Sequence, residues 1–403
     1  MAGKEIFDVA VAGAGPAGLI VGLACAQSGL RTVVIGPPSG REDRRTSALF
    51  GGSIELLKRL TLWQDLERQS EPVTGIRIVD RTSSILKAPE VLFEAREAGF
   101  DAFGYNIPNV ALTEVLEAAC GRRLARVKAS VSNREIAADS AALLVDTGET
   151  ITARLIVAAD GRASATRGSA GIEVSTWSYP QSALVTTFSH QRDHHGVSTE
   201  LHHHAGPLTV VPGPGRTSNL VWINTPDEIK RLSSLDDFQF SRELGSALQG
   251  LLGALFDFTP RQCFPLSGQT ARPLAKNRVV VAGEAAHVIP PIGAQGLNLS
   301  FRDAATIAEI AGEAKRDGLD IGGEPVLRRY DRARRTDIGT RVFAVDILNK
   351  SLLSTIPGLS VARGFGLFAL AASSSLRIRV MREGILPSAS KPALMASDAA
   401  VKI

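Results

Sequence analysis

The sequence predicts an α/β protein in which a discontinuous Rossmann-like nucleotide-binding domain carries an inserted β-sheet-rich domain and a C-terminal helical tail. Three observations lead there. A Gly-rich turn joins a strand to a helix within residues 6–35, a second strand-turn-helix pattern runs from Arg278 to Asn298, and the stretch between residues 175 and 268 is rich in Thr, Val, His and Pro. The nucleotide domain is therefore assigned to residues 1–72, 102–174 and 269–345, and the β-rich domain to 73–101 and 175–268. Residues 346–386 read as C-terminal helices, and the Pro/Ala/Ser-rich segment 387–403 is expected to be mobile.

Taken in chain order, Phe7 to Ala12 is a short apolar run ending at Gly13, Pro16 to Ser28 is small and apolar like a helix packed on a sheet, and Arg31 to Ile35 is β-branched. Residues 53–69 place Ile54, Leu57, Leu60 and Leu66 on one side of an amphipathic helix. Strand-like alternation follows from Val73 to Ile85, a helix from Asn109 to Ala119, and sheet again at Leu143–Val145 and Leu155–Ala159. The insertion shows strand pieces at Ala183–His190, Thr199–His203, Leu208–Val211 and Ser218–Ile223. An Arg-rich helix follows Tyr330.

Composition excludes several classes. Hydrophobic residues make up 44% and charged residues 21% of 403, as in an ordinary folded protein. Lys plus Arg exceed Asp plus Glu by only 45 − 41 = 4, and no basic run is interleaved with aromatics, so no nucleic-acid partner is expected. Cys25, Cys120 and Cys263 are three and widely spaced, which suggests neither a disulfide framework nor a metal knuckle. The chain enters its first strand without a charged leader and apolar core, and a cytoplasmic location is expected. No apolar run reaches the ~18 residues of a spanning helix.

Three motifs carry the chemistry. Gly13-Ala14-Gly15-Pro16-Ala17-Gly18 fits GxGxxG in its strand-turn-helix context. Gly13 allows the tight turn, Gly15 lets backbone N–H groups approach a pyrophosphate, and Gly18 lets the helix pack on the strand. The acidic residue expected about 20 positions on is missing, because Ile35 is followed by Gly36-Pro37-Pro38, and Glu42 and Asp43 come too late. Asp160, with Gly161 behind an apolar strand and Ser164 and Arg167 following, either bridges cofactor phosphate and incoming pyridine nucleotide or caps a helix. In the third motif Glu284 ends a strand and can accept hydrogen bonds from a polyol. Pro291, Gly293, Ala294, Gln295, Gly296, Leu297 and Asn298 then form a proline-braced loop and helix start. The N–H groups of that start can stabilise negative charge on a reduced ring. One large cofactor is gripped from both ends, as in a flavoenzyme.

These three motifs in this order resemble the single-component flavoprotein aromatic hydroxylases, the group of para-hydroxybenzoate hydroxylase, over roughly residues 6–345. Within that group the chain is most similar to the ubiquinone-biosynthesis hydroxylases. Arg45-Thr46-Ser47-Ala48-Leu49 looks like their arginine-led segment, and Gly104-Tyr105-Asn106-Ile107-Pro108-Asn109 like their entry to a helix. Glu200-Leu201, Gly206-Pro207 and Pro212 look like their substrate-domain strands, and Phe264-Pro265-Leu266 like the return to the flavin domain. Two departures stand out: Glu284 replaces the family's Asp, and Gly293-Ala294-Gln295-Gly296 replaces Ala-Gly-Gln-Gly.

The resemblance implies an FAD-binding domain, reduction of FAD by NADH or NADPH as a transient co-substrate, and oxygen capture as a flavin hydroperoxide. One oxygen atom then passes to the ring of a prenylated phenolic substrate inside a water-excluding pocket. Other ubiquinone-biosynthesis proteins are implied as partners. So is peripheral contact with the inner face of the cytoplasmic membrane, through the Arg-rich helix and the apolar segment 366–372. Arg45 is a candidate flavin or substrate contact, although Arg41, Arg44 and Arg45 also suit a surface salt bridge. No catalytic base is assigned. Two alternatives stay open: hydroxylation of a soluble phenol or other secondary metabolite, and a non-catalytic FAD-binding scaffold.

Other residues have plainer readings. Six of the seven histidines lie between His190 and His204. On a strand, His202 and His204 would share one face and His203 the other, so strand residues are expected rather than a metal site. His287 is expected to make a structural hydrogen bond, Tyr105 to pack or to line a pocket, and Arg328, Arg329, Arg332, Arg334 and Arg335 to form a solvated face.

Overall fold

The computed structural model describes residues 6–38, 43–82, 89–353, 366, 368–370, 372–385 and 392–396. Arg41, Glu42 and the end of the expected strand at Ile85 lie outside these residues, as do Leu367 and Ala371 of the apolar 366–372 segment.

A sheet described with eight strands forms the nucleotide domain. Its path runs Ala275–Lys276, Val279–Val281, Thr150–Ala158, Phe7–Ala12, Thr32–Ile35, Ala125–Val127, and Ala141–Val145 and Val131–Ile136 extend from Thr150–Ala158. Val279–Val281, Thr150–Ala158, Phe7–Ala12, Thr32–Ile35 and Ala125–Val127 run parallel. Val279–Val281, Phe7–Ala12 and Thr32–Ile35 are short, apolar and largely buried, as strands covered on both faces must be. The helix Pro16–Gln27 has Pro in its first turn, is buried from Gly18 to Cys25 and packs against the helix Gln295–Arg316. A helix apolar on all sides belongs between layers.

The β-rich domain is a sheet described with nine strands: His287–Val288, Gln262–Arg272, Glu173–His190, Thr217–Asn224, Gly206–Gly213, Val197–His203, Gly75–Asp80 and Val91–Glu94 in order, with Leu255–Phe256 beside Glu173–His190. Two helices unforeseen from the sequence, Pro226–Ser234 and Asp237–Ala247, cover one face. Ile229, Leu232, Phe240 and Leu244 meet Leu184, Phe188, Leu220 and Trp222 there. Strand alternation turns Ala183, Val221, Ile223, Phe264 and Leu266 to the other face, where they meet Ile292 and the helix residues Val345 and Leu348. A small sheet of Thr46–Phe50, Gly104–Pro108 and Glu71–Val73 completes the strands.

Three expectations need correction. The helix expected over 53–69 is two, Gly51–Arg59 and Trp63–Glu67. Thr61 takes a left-handed φ of 56°, and the Leu62 and Thr61 amides close a Schellman turn on the Leu57 and Lys58 carbonyls. This break buries both Leu60 and Leu62. His204 lies in a turn beyond the strand Val197–His203, while His202 is buried and bonds Glu200 at 2.6 Å. Near the terminus, expected to be mobile, Ala393–Met395 form a short helix whose Met395 joins the main core, and the Ala393 amide donates to Glu309 at 2.6 Å.

Candidate active site

The parallel strands put all three motifs on one edge. Ala12 is in register with Ala158 and Ile35, and Ala158 with Val281, so Gly13, Asp160 and the Gly283–Ala285 turn leave neighbouring strands at the same end. Ligands of open parallel sheets bind at this end. The turns also touch each other. A Cβ on Gly13 would lie 2.1 Å from the Ala159 carbonyl oxygen, and one on Gly283 would lie 2.8 Å from the Ala17 Cβ.

The glycines of the first motif separate into two kinds. Gly13 has a φ of 114°, and a Cβ on Gly18 would stand 2.0 Å from the Gly13 carbonyl oxygen, so both are dictated by the protein's own packing. At Gly15 the backbone is extended (φ −74°, ψ 175°) and a Cβ would meet nothing within 4 Å. The polypeptide does not require glycine there. The adjoining helix has neither a side-chain cap nor an acid in its first turn, and Pro16 takes the position whose N–H would go unused, leaving Ala17 and Gly18 to face an anion. Where an acidic residue is missing after Ile35, Gly36 leans on the Ala14 amide and the Arg126 guanidinium donates to its carbonyl at 2.8 Å.

Asp160 works within its own loop. Its carboxylate accepts from the Ser164 hydroxyl and from the Thr166 amide at 3.0 Å, while Ser164 caps the helix Ala165–Ser169. Buried Arg167, the arginine that closes this motif, donates to the carbonyls of Arg162 and Ala285, tying this loop to the third motif.

Glu284, Pro291, Gly293 and Gly296 are exposed, Glu284 and Pro291 between buried neighbours. Arg45 sits across from them, paired with Asp43 at 2.7 Å. The Asp43 hydrogen bond first, and the Glu284 charge to a smaller degree, raise the Arg45 pKa. Ala294 takes a left-handed φ of 51° at the head of the helix Gln295–Arg316, which again has neither a side-chain cap nor an acid in its first turn. Two expected cofactor contacts turn inward. The Asn298 side chain accepts from the Phe50 amide (2.9 Å) and Ser53 hydroxyl (2.8 Å) and donates to the carbonyls of Ala48 (2.8 Å) and Ala294 (2.7 Å). Gln295 donates to the Gly293 carbonyl and accepts from Arg341 at 2.8 Å. Both side chains brace the loop. Tyr105 packs edge-on against Trp63.

Behind the loop lies a buried ion cluster that the sequence reading missed. Asp303 accepts from the Gly283 amide (3.0 Å), His287 Nε2 (2.8 Å) and Arg334 Nε (2.7 Å). Arg334 reaches Asp337 at 2.6 Å, and Arg341 joins Asp337 to Gln295. His287 thus makes the structural bond expected of it. Arg334, expected in a solvated face, is instead 1% exposed, because it continues the buried helix stripe Val326, Leu327 and Tyr330. Burial opposes charge on Asp303, but Arg334 and then His287 outweigh it and hold that carboxyl below its usual pKa. Among the described residues, no group of three His, Cys, Asp or Glu side chains is placed to hold a metal.

A family model described as an FAD binding domain matches residues 7–341. The chain belongs to this FAD-binding family. A ubiquinone hydroxylase, UbiL, of Rhodospirillum rubrum is 32% identical over 392 residues, covering 94% of this chain and 90% of that one. The 3-demethoxyubiquinol 3-hydroxylase of Escherichia coli is 27% identical over 388 residues, covering 93% and 97%. Among solved structures, p-nitrophenol 4-monooxygenase PnpA from Pseudomonas putida shares the fold with a TM-score of 0.76 at 18% identity, covering 94% and 98%.

The residues present fit the family's cofactor. The open space at Gly15, the uncapped amides of two helix starts and the exposed Glu284 between them are groups able to meet an anion, a polyol and a ring. The apolar face around Ile292 stands beside the loop. Tyr179, at its edge, accepts from Trp177 Nε1 (2.7 Å) and donates to Asp346 (2.9 Å). Burial chiefly, and then Asp346 against the lowering effect of Trp177, raise the Tyr179 pKa to about 12, so it remains a proton donor at neutral pH.

Proposed function

We propose that this FAD-dependent monooxygenase uses NADH or NADPH and O2 to hydroxylate the aromatic ring of a polyprenylated phenol in ubiquinone biosynthesis. The observation that carries the reading is the end-to-end similarity to the Rhodospirillum rubrum protein, 94% of this chain against 90% of that one. The apolar face beside the loop supports it, since a water-excluding wall there suits a prenylated ring.

Gly13, Gly15 and Gly18 with the first-turn amides of Ala17 and Gly18 would receive the pyrophosphate, and Glu284 the ribityl hydroxyls. Arg45 and Asp160 would stand at the rim. Pro291, Gly293, Ala294 and the amides of Gln295, Gly296, Leu297 and Asn298 would frame the ring. FAD held there would supply the reducing electrons and the activated oxygen for the substrate. The protein's part is to hold the ring, exclude water along Ile292, Ile223 and Leu266, and keep the Tyr179 proton on its oxygen. A second Gly-rich dinucleotide turn is absent from the sequence, so the reductant visits transiently.

Peripheral contact with the cytoplasmic membrane through the C-terminal region belongs to the same reading. No described helix is long and apolar enough to cross a membrane. The helix Ser374–Ile385 buries Met381 against Phe93 and Phe103 while Leu376 and Val380 stay exposed, as does Phe368 before it.

The test is deletion of the gene in its host and mass spectrometry of the extracted quinone lipids. Accumulation of a prenylated precursor lacking one oxygen is the expected result, and its structure names the carbon attacked. An unchanged ubiquinone profile, in a strain with no second hydroxylase, would sink the reading.

A further inference from the structure

The cluster behind the loop holds three guanidinium groups, Arg302, Arg334 and Arg341, against two carboxylates, Asp303 and Asp337. The guanidinium groups outnumber the carboxylates by one, an excess of positive charge. Buried charges are ordinarily paired, because an unpaired one loses its hydration without compensation. The imbalance is visible in the geometry. Arg302 Nε lies 2.9 Å from Asp337 Oδ2 but off the hydrogen-bond direction, and Nε and Nη2 have no hydrogen-bond partner among the described residues. Asp337 is shared by all three arginines. Burial first, then repulsion by Arg341 and Arg334 against the attraction of Asp337, pulls the Arg302 pKa down to about 9, which still leaves it charged at neutral pH.

The cluster is attached to both segments of the proposed ring site. Asp303 takes the Gly283 amide, one residue from Glu284. Arg341 takes the Gln295 side chain, which in turn holds the Gly293 carbonyl. The uncapped start of Gln295–Arg316 adds its own positive end on the same side. A buried cation is poorly screened, so it acts on whatever charge develops at the helix start.

We propose that Arg341 and Asp337 are positioning residues for the bound flavin: the cluster locks the Gly283 turn to the Gly293–Asn298 loop, and its uncompensated positive charge raises the reduction potential of the FAD held there. This rests on the reading that the loop frames the flavin ring. The reduced ring carries a negative charge that the oxidised ring lacks, so an excess cation favours the reduced form.

The test uses the full-length, FAD-loaded protein and measures the two-electron midpoint potential and the FAD dissociation constant. Arg341→Gln removes a cation and is expected to lower the potential, while Asp337→Asn removes an anion and is expected to raise it. Each shift corresponds to about a tenfold change in relative affinity for reduced over oxidised FAD, or about 30 mV for a two-electron couple. Arg341→Lys keeps the charge but loses the planar fork that spans Asp337 and Gln295, so it should hold the wild-type potential while binding FAD more weakly. Shifts in the same direction for Arg341→Gln and Asp337→Asn, or equal potentials in Arg341→Gln and Arg341→Lys, overturn the proposal. The second comparison decides it if Asp337→Asn does not fold. Gly296→Val tests the loop itself, because a Cβ there meets nothing within 4 Å in the protein. If Gly296→Val keeps FAD at the wild-type affinity and potential, the loop reading fails. If it loses FAD while the charge variants leave the potential unmoved, only the charge proposal fails.

Discussion

Replacing Gly15 and Gly18 separately with alanine distinguishes a glycine kept for a ligand from one kept for the fold. At Gly15 the backbone (φ −74°, ψ 175°) suits alanine, and the new methyl would meet no protein atom within 4 Å. Restricting the unfolded chain stabilises by about 0.4–1 kcal/mol, and alanine is the poorer N-cap by a similar amount. The two nearly cancel, so apo Gly15→Ala should unfold within about 1 kcal/mol of wild type. In the proposed site the methyl fills the space open to the pyrophosphate, and at about 1–3 kcal/mol for an overpacked group FAD should bind roughly 5- to 150-fold more weakly. Gly18→Ala puts its methyl 2.0 Å from the Gly13 carbonyl oxygen, well inside the 3.0 Å that such contacts essentially never breach. Helix and strand must part, and the apo protein should lose about 1–3 kcal/mol. Urea unfolding of both apo proteins and FAD titration by fluorescence quenching give the four numbers. Wild-type FAD affinity in Gly15→Ala, or wild-type apo stability in Gly18→Ala, would refute the reasoning.

The loop and its supports give further tests. Ala294→Gly removes left-handed strain of about 1–2 kcal/mol at an entropic cost of about 0.5–1 kcal/mol, so urea unfolding should show an unchanged or slightly more stable protein, whereas Ala294→Val should be less stable. Asn298→Ala strands the Phe50 amide and the Ala48 carbonyl and should destabilise by about 1–3 kcal/mol, with weaker FAD binding by titration. Burial would raise the pKa of Asp303 and Asp337, but Arg334 foremost outweighs it and holds both below the unfolded value. Their contribution is therefore complete above the unfolded pKa of about 3.9 and is lost as pH falls through the folded values. The stability gap between wild type and Asp337→Asn should be flat from about pH 8 to pH 5 and shrink below about pH 4. Leu376→Glu with Val380→Glu should abolish flotation with anionic phospholipid vesicles while leaving FAD content intact; undiminished flotation would remove this helix from the membrane contact.

The parallel strands and their turns were legible because their signals are local: a buried apolar run, then glycine, then a helix start. The two helices after Asn224 were equally local, with Thr225 and Asp236 as caps, and were passed over because the surrounding composition favours strands. Asn298 shows what a sequence conceals. It sits in the expected loop, yet its partners Phe50 and Ser53 lie 248 and 245 residues away, so its inward turn has no local trace. Arg334 was within reach. It stands four residues beyond buried Tyr330 and three before Asp337 on one helix face, and reading the arginines by helical phase rather than as a run separates it from exposed Arg328 and Arg329.

The parallel register of Phe7–Ala12 with Thr150–Ala158, and of that strand with Val279–Val281, also bears on how the protein is made. The first Gly-rich turn leaves the ribosome long before Arg341, by roughly a quarter of a minute to a minute at about 5–20 residues per second. Until Thr150–Ala158 is made, Val9 and Val11, fully buried in the finished sheet, lack the strand that pairs on one side of them. On the proposed reading of the site, added FAD should not rescue a nascent or truncated N-terminal half, since the Glu284–Asn298 part of that site has yet to be translated. Yield in a foreign host should depend on chaperone supply during synthesis more than on flavin supply after it.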